Sequence, residues 1–154
     1  MPAMRRKDRE IVDRQDLDAI ISRAQTLFLA MADHNVPYVI PLSFGYDGTH
    51  FYFHTANQGL KLDFLRKNPA VCFALTGHVY YESVMTSCDA GTQFESVVGR
   101  GTCAIVTDPA EKALGLDILL AHYTASRIEY PPAALAATTI VKITITEIKG
   151  KRRH

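Results

Sequence analysis

Two histidines, His50 and His54, flank the run Phe51-Tyr52-Phe53. Four residues apart on a helix they would share a metal ion, but the aromatic surroundings read as a strand. At ~3.3 Å per residue the pair is then ~13 Å apart and cannot chelate one ion. On that strand His50, Tyr52 and His54 share one side and Phe51 and Phe53 the other. Taken alone, His54 is a satisfied or exposed histidine. Lys61 follows Thr55, Asn57 and Gly59 at the start of an expected helix. Free amide N–H groups, the positive end of a helix dipole, hydroxyl and amide donors and an ammonium together suit a phosphate. The plainer reading of the same residues is a capped helix with a solvated lysine.

Gly99-Arg100-Gly101-Thr102-Cys103-Ala104 carries the letters of a dinucleotide fingerprint. That fingerprint must open a helix, whereas Ile105-Val106-Thr107 continues a strand, so the context is wrong for a Rossmann site. The glycines instead mark a strand that bends at a barrel corner or lets a flat ligand approach its backbone. Cys72, Cys88 and Cys103 are spaced by sixteen and fifteen residues. They fit neither a disulfide framework nor a CxxC site, and reduced thiols in a cytoplasmic protein are expected. The basic residues Arg5, Arg6, Lys7 and Arg9, and Lys149, Lys151, Arg152 and Arg153, come with no recognition helix or aromatic RNA-binding motif. Solvated termini are expected there.

The elements that must position these residues follow from capping and periodicity. Asp13, Asp16, Leu17, Ile20, Ile21 and Ala24 predict a short capped helix. Thr26–Ala32, Tyr38–Tyr46 and His50–Thr55, joined by turns at Asp33-His34-Asn35 and Asp47-Gly48, predict a three-stranded antiparallel meander. Asn57–Asn68 predicts a helix stopped by Pro69, with Leu60 and Phe64 one turn apart and Leu62 and Leu65 flanking them. Ala70–Thr76 predicts a strand, residues 77–91 show no period, and Thr92–Thr107 is a long strand with a bend or bulge at Gly99 and Gly101. Asp108-Pro109-Ala110-Glu111 opens a helix to about Tyr123. Pro131-Pro132 marks a loop. The last strand, Thr138–Lys149, puts Val141, Ile143 and Ile145 on one face and Ile148 out of phase, which a bulge near Glu147 explains. The fold class is mainly β with short helices, a six-stranded antiparallel barrel over a single domain, 1–154.

Composition sets the outer limits. The chain has 154 residues, 47% apolar and 21% charged, with 17 Lys plus Arg against 16 Asp plus Glu for a net charge of +1. This is the balance of one globular domain with a real core, not of a disordered chain. No global field draws it to nucleic acid or acidic lipid, so an anion must be held by local groups. No apolar run approaches the ~20 residues of a membrane span, and no apolar h-region follows the basic N-terminus; neither membrane nor nucleic acid is an expected partner.

The segments Met4–Ile11, Pro37–Tyr46 and Phe51–Ala56, then Gly59, Lys61, Leu65–Pro69, Phe94–Gly101, Asp108–Lys112 and Ile148–Lys151, in this order, resemble the 5-nitroimidazole-resistance branch of the pyridoxamine 5′-phosphate oxidase-like flavoproteins. The resemblance implies a split β-barrel homodimer binding FMN at the subunit interface. It implies that Pro41, Leu42, Ser43 and Phe44 run their backbone along the flavin ring edge. Lys61, with Thr55 and the helix start, then holds the phosphate, and His54 sits near flavin and substrate. Ser96 and Arg100 lie on the strand that approaches the interface and the partner's cofactor. Ala90 and Gly91 stand where the branch often has a bulky aromatic, implying a more open pocket wall. The implied activity is flavin-dependent reduction of a small electron-poor substrate such as a nitroaromatic, with a transient nicotinamide donor and no metal. The alternatives are a flavin-storing module, a haem-binding or haem-degrading barrel with His54 or His122 as axial ligand, and a deazaflavin in place of FMN.

Overall fold

The computed structural model describes residues 2–81, 92–125 and 129–153. In chain order the elements are a 3₁₀ turn Lys7–Arg9, β1 Glu10–Ile11, α1 Arg14–Arg23, β2 Leu27–Asp33, β3 Val36–Leu42, β4 Gly45–Tyr46, β5 His50–Ala56, α2 Leu60–Lys67, β6 Ala70–Tyr81, β7 Thr92–Ile105, α3 Pro109–Tyr123, α4 Pro132–Ala137 and β8 Thr138–Arg153.

Among the described residues eight strands form one antiparallel sheet in the order β3-β2-β6-β7-β8-β5-β4, with β1 also on β8. The two ends of this path, β3 and β4, are consecutive in the chain and separated only by Ser43 and Phe44. The three Cα steps from Leu42 to Gly45 span at most about 11 Å, so the sheet must curl until its edges meet. The result is a barrel closed by a chain crossing instead of a hydrogen-bonded ladder, which is a split barrel.

This corrects the expected meander. The run Tyr38–Tyr46 breaks at Ser43-Phe44, and β5 pairs with β8, not with β3. The break has a packing cause, because Phe44 turns its side chain fully into the core and Gly45 lies directly under α3. A Cβ on Gly45 would stand 2.5 Å from the Leu119 backbone. The split strand and the two-residue β1 raise the expected six strands to eight.

Local chemistry decides the remaining elements. Asp13 caps α1 by accepting from the Gln15 and Asp16 amides, at 2.7 and 3.4 Å. Asp108 caps α3 through the Glu111 amide at 2.8 Å. His34 and Asn35, with φ of 46° and 68°, make the two-residue hairpin turn between β2 and β3. Asp47 holds the next turn, its Oδ1 accepting from the Thr49 amide, the Thr49 hydroxyl and the His50 amide at 2.8, 2.9 and 2.6 Å. The register passes from Arg100↔Glu147 to Gly101↔Ile145, so Thr146 is the extra residue of a bulge on β8 where the phase slip predicts one. Beyond Pro131-Pro132, expected only as a loop, α4 forms. β6 runs past Thr76 to Tyr81, while the rest of the aperiodic stretch, 82–91 with Cys88, Ala90 and Gly91, lies outside the described residues.

The core fills the barrel with Phe44, Phe51, Phe53 and Phe73, joined by Leu17, Ile20 and Ile21 of α1 and Leu62 and Leu65 of α2. Leu60, at the start of α2, is 57% exposed. A second cluster of Tyr52, Val106, Leu116 and Ile140 lies under α3. Alternation on β5 thus sends Phe51 and Phe53 inward and Tyr52 outward, yet α3 covers Tyr52 as well. The basic C-terminus is not merely solvated. Arg152 bonds Glu95 at 2.8 Å and Asp16 at 3.3 Å, because β8 continues to Arg153 beside α1 and β7. Among the described residues no helix is long and apolar enough to cross a membrane.

Candidate functional site

Lys61 is the second residue of α2, which starts at Leu60 and not at Asn57. Asn57 is held before the helix, its amide donating to the Ala136 carbonyl at 3.0 Å and its oxygen accepting from the Thr139 hydroxyl at 2.7 Å. Gly59 then turns the chain at φ 135°, a conformation open to glycine, and its carbonyl accepts the Leu62 and Asp63 amides. The other cations of α2 are paired, Arg66 with Asp63 and Lys67 with Asp33. Among the described residues Lys61 has no such carboxylate. Its Nζ stands 5.4 Å from the centre of the Phe53 ring, and burial pulls its pKa below the ordinary lysine value. A half-buried ammonium with only a ring face for company lacks a counter-charge, and an anionic ligand supplies one.

Strand alternation divides the expected residues. Thr55 shares the Phe53 side of β5 with Lys61, whereas His54, exposed and in register with Ile140, lies on the Tyr52 side. Thr55 thus shares a side of β5 with Phe53, the ring that Lys61 lies over, and His54 is on the other side.

The ring-edge segment sits beside α2, since Tyr38 of β3 packs on Phe64 with ring centroids 5.3 Å apart. The two-residue hairpin makes Asp33↔Val36 a hydrogen-bonded pair, so Pro37, Val39 and Pro41 present their backbone to the open edge. With proline at two of these positions the edge offers carbonyl acceptors and few donors, which also blocks indefinite strand addition. Ser43 is exposed in the crossing. Phe44 is not available to a ligand in the same way: its ring is in the core and its N–H donates to the Tyr123 hydroxyl at 2.9 Å. Tyr123 in turn donates to the Gln25 carbonyl at 3.0 Å. His122 stacks on Phe44 at 4.3 Å and its Nε2 bonds the Ala24 carbonyl at 2.7 Å. Sequence reading did not connect Tyr123 with this segment, because nothing local signals a contact across 79 residues.

Ser96 and Arg100 lie elsewhere, on the outer face of β7. Arg100 is beside Cys72 of β6, which is beside Ala30 of β2, which is beside Val39 of β3. One row on, Val98, Ala74, Phe28 and Pro41 align likewise. This outward face is apolar, with Phe28 41%, Val39 61% and Val98 42% exposed. Ala30, Ala32, Cys72 and Arg100 help line a groove of about 380 Å³ on it. Lys61 with Thr55, and Ser96 with Arg100, are therefore two separate patches of one chain, with the β3 edge between them.

The residues fit a flavin mononucleotide in two respects. A half-buried cation beside a helix start, unpaired among the described residues, suits its phosphate, and a row of edge carbonyls suits its one ring N–H donor.

Known proteins agree with this architecture. The family model described as pyridoxamine 5′-phosphate oxidase matches residues 13–152. A candidate 5-nitroimidazole antibiotic resistance protein from Bacteroides thetaiotaomicron is 30% identical, with 93% of this chain and 86% of that one covered and a TM-score of 0.85. The flavocytochrome Anf3 from Azotobacter vinelandii shares the fold at 19% identity, 99% and 72% coverage and a TM-score of 0.85. A FAD- and haem-binding protein from Mycobacterium smegmatis does so at 20% identity, 95% and 74% coverage and a TM-score of 0.83. No curated protein matches the chain. A family match over nearly the whole sequence, on a split barrel with an open, proline-marked edge strand, places this chain in the pyridoxamine 5′-phosphate oxidase family.

Proposed function

We propose that this chain is a cytoplasmic, homodimeric FMN-dependent oxidoreductase acting on a small electron-poor substrate, of which a nitroaromatic is the first to try. The observation that carries the reading is Lys61, a half-buried ammonium with no carboxylate partner among the described residues, at the start of α2 and next to the carbonyl-rich edge of β3. Family membership supports it, as does the 30% identity to a candidate nitroimidazole-resistance protein.

When bound, FMN supplies the electron chemistry. In this reading Lys61 and Thr55 hold the phosphate, and the backbone from Pro41 to Ser43 orients the ring. The apolar face bearing Phe28, Val39 and Val98 excludes water by docking on a second copy, which brings that copy's Ser96 and Arg100 toward the site. His54 exchanges a proton with substrate through its imidazole, whose two ring nitrogens can donate and accept. A reduced nicotinamide, bound transiently, would be the electron donor. The haem reading is less well supported, since Nε2 of His122 is bonded to the Ala24 carbonyl.

The test is the absorbance spectrum of the purified protein, followed by FMN titration and by loss of nitroimidazole absorbance with NADPH or dithionite. A flavin spectrum with turnover is expected. Colourless protein that takes up no FMN sinks the cofactor assignment, and a yellow protein without turnover leaves a flavin-storing module. Preference for a deazaflavin over FMN replaces the cofactor, and a Soret band with haemin revives the haem reading.

A further inference from the structure

We propose that Tyr123 is a positioning residue for the flavin: it fixes the Ser43–Phe44 peptide so that the Ser43 carbonyl is presented to the ring N3–H. The inference rests on the FMN reading above and assigns a task to a residue far from it in sequence.

Ser43 and Phe44 form the crossing between β3 and β4 and belong to neither ladder, so no strand pairing sets the plane of their peptide. Tyr123 sets it. A tyrosine hydroxyl has one proton, and here it goes to the Gln25 carbonyl at 3.0 Å, which leaves the oxygen lone pairs to accept the Phe44 N–H at 2.9 Å. The chain of bonds has one direction, so it holds one orientation of the peptide. Phe44 cannot swing away, because its buried ring is packed edge-on against Phe51 at 5.6 Å and on His122 at 4.3 Å. His122 is tied to the Ala24 carbonyl.

The described residues contain no cis peptide, and in a trans peptide the C=O points opposite to the N–H. With the Phe44 N–H directed at Tyr123, the Ser43 carbonyl points away from α3. Ser43 is exposed, and among the described residues no donor is bonded to this carbonyl. It continues the row of outward carbonyls from Pro37, Val39 and Pro41, and it differs from them in being held by a side chain from another element. Oxidised isoalloxazine has a single ring N–H, at N3, and an acceptor already oriented for it avoids the cost of ordering a loop on binding.

The experiment compares FMN with 3-methyl-FMN, which lacks the N3 proton, by quenching of flavin fluorescence on wild-type protein and on Tyr123→Phe. Wild type is expected to prefer FMN by about tenfold or more. In Tyr123→Phe, FMN should weaken about five- to tenfold while 3-methyl-FMN changes little, so the preference collapses toward unity. A purely structural role weakens both flavins alike and preserves the ratio, which overturns the assignment. Wild type that binds both flavins equally also overturns it and leaves the cofactor reading standing; wild type that binds neither removes both. Should Tyr123→Phe fail to fold, hydrogen exchange on the unmodified protein decides. A slow Phe44 amide in the flavin-free protein supports the proposal, and a fast one overturns it.

Discussion

Nζ of Lys61 stands 5.4 Å from the centre of the Phe53 ring, on the side of β5 that His54 does not face. Phosphate binding and proton chemistry are thus assigned to opposite sides of one strand, and the two should separate on mutation. Lys61→Ala is expected to weaken FMN binding by about ten- to a hundredfold, the worth of a charge-assisted hydrogen bond. His54→Ala should leave FMN affinity within about threefold and act on turnover instead. Fluorescence titration of both variants checks this, and the reverse order contradicts the assignment.

Gly45 is where α3 meets the crossing. An added Cβ would lie 2.5 Å from Cα and N of Leu119, and neither is a flexible side chain that can yield. Gly45→Ala should cost about 3 kcal/mol by overpacking, lowering the thermal midpoint by roughly 10 °C. Gly48→Ala meets nothing within 4 Å and bears only the strain of φ +97°. It should cost about 1–2 kcal/mol. Equal melting losses in the two variants would argue against close packing at Gly45.

Asp47 makes acid stability predictable in sign. Burial pushes its carboxyl up, but the amides and side chains of Thr49 and His50 outweigh this and bring the pKa down to about 2. A pKa lower in the folded than in the unfolded chain means that the unfolded state takes up protons first. The stabilisation is full above the unfolded value near 4 and is lost as pH falls through about 2. Thermal midpoints measured from pH 5 to 2 should fall, and Asp47→Asn should be less stable at pH 7 with a shallower acid slope. An unchanged slope removes Asp47 from the account.

The outer face predicts the assembly. Val98 and Phe28, 42% and 41% exposed, are central to the apolar rows of β7 and β2, and a charge there must be desolvated on docking. Val98→Glu and Phe28→Lys should shift sedimentation from dimer to monomer. Val12→Glu, at a position 85% exposed outside that face, should not. A wild-type monomer, or variants that still dimerise, would move the interface elsewhere.

Much of the local structure was legible before any folding. The caps at Asp13 and Asp108, the turns at Asp33–Asn35 and Asp47-Gly48, and the β8 bulge all depend on residues within a few positions of one another. Side-chain acceptors, positive φ and hydrophobic phase act at that range, so the letters suffice. The candidate cation, Lys61, was legible as a residue at a helix start. That no carboxylate among the described residues pairs with it was not, because Phe53 and not a neighbour in sequence lies beside it.

The sequence by itself determined most of the strands and helices, the mainly β class and the family, since periodicity, capping and the order of motifs are properties of the chain read locally; it missed β1, α4 and the break at Ser43-Phe44, which packing decides. Only the tertiary structure decided that β3 and β4 are opposite edges of one sheet brought together by Ser43 and Phe44, that Lys61 lies over Phe53 on the side of β5 that His54 does not face, and that Tyr123 reaches Phe44. Those facts depend on which distant surfaces are buried against each other. A strand carries its own alternation, but it does not carry the identity of its partner.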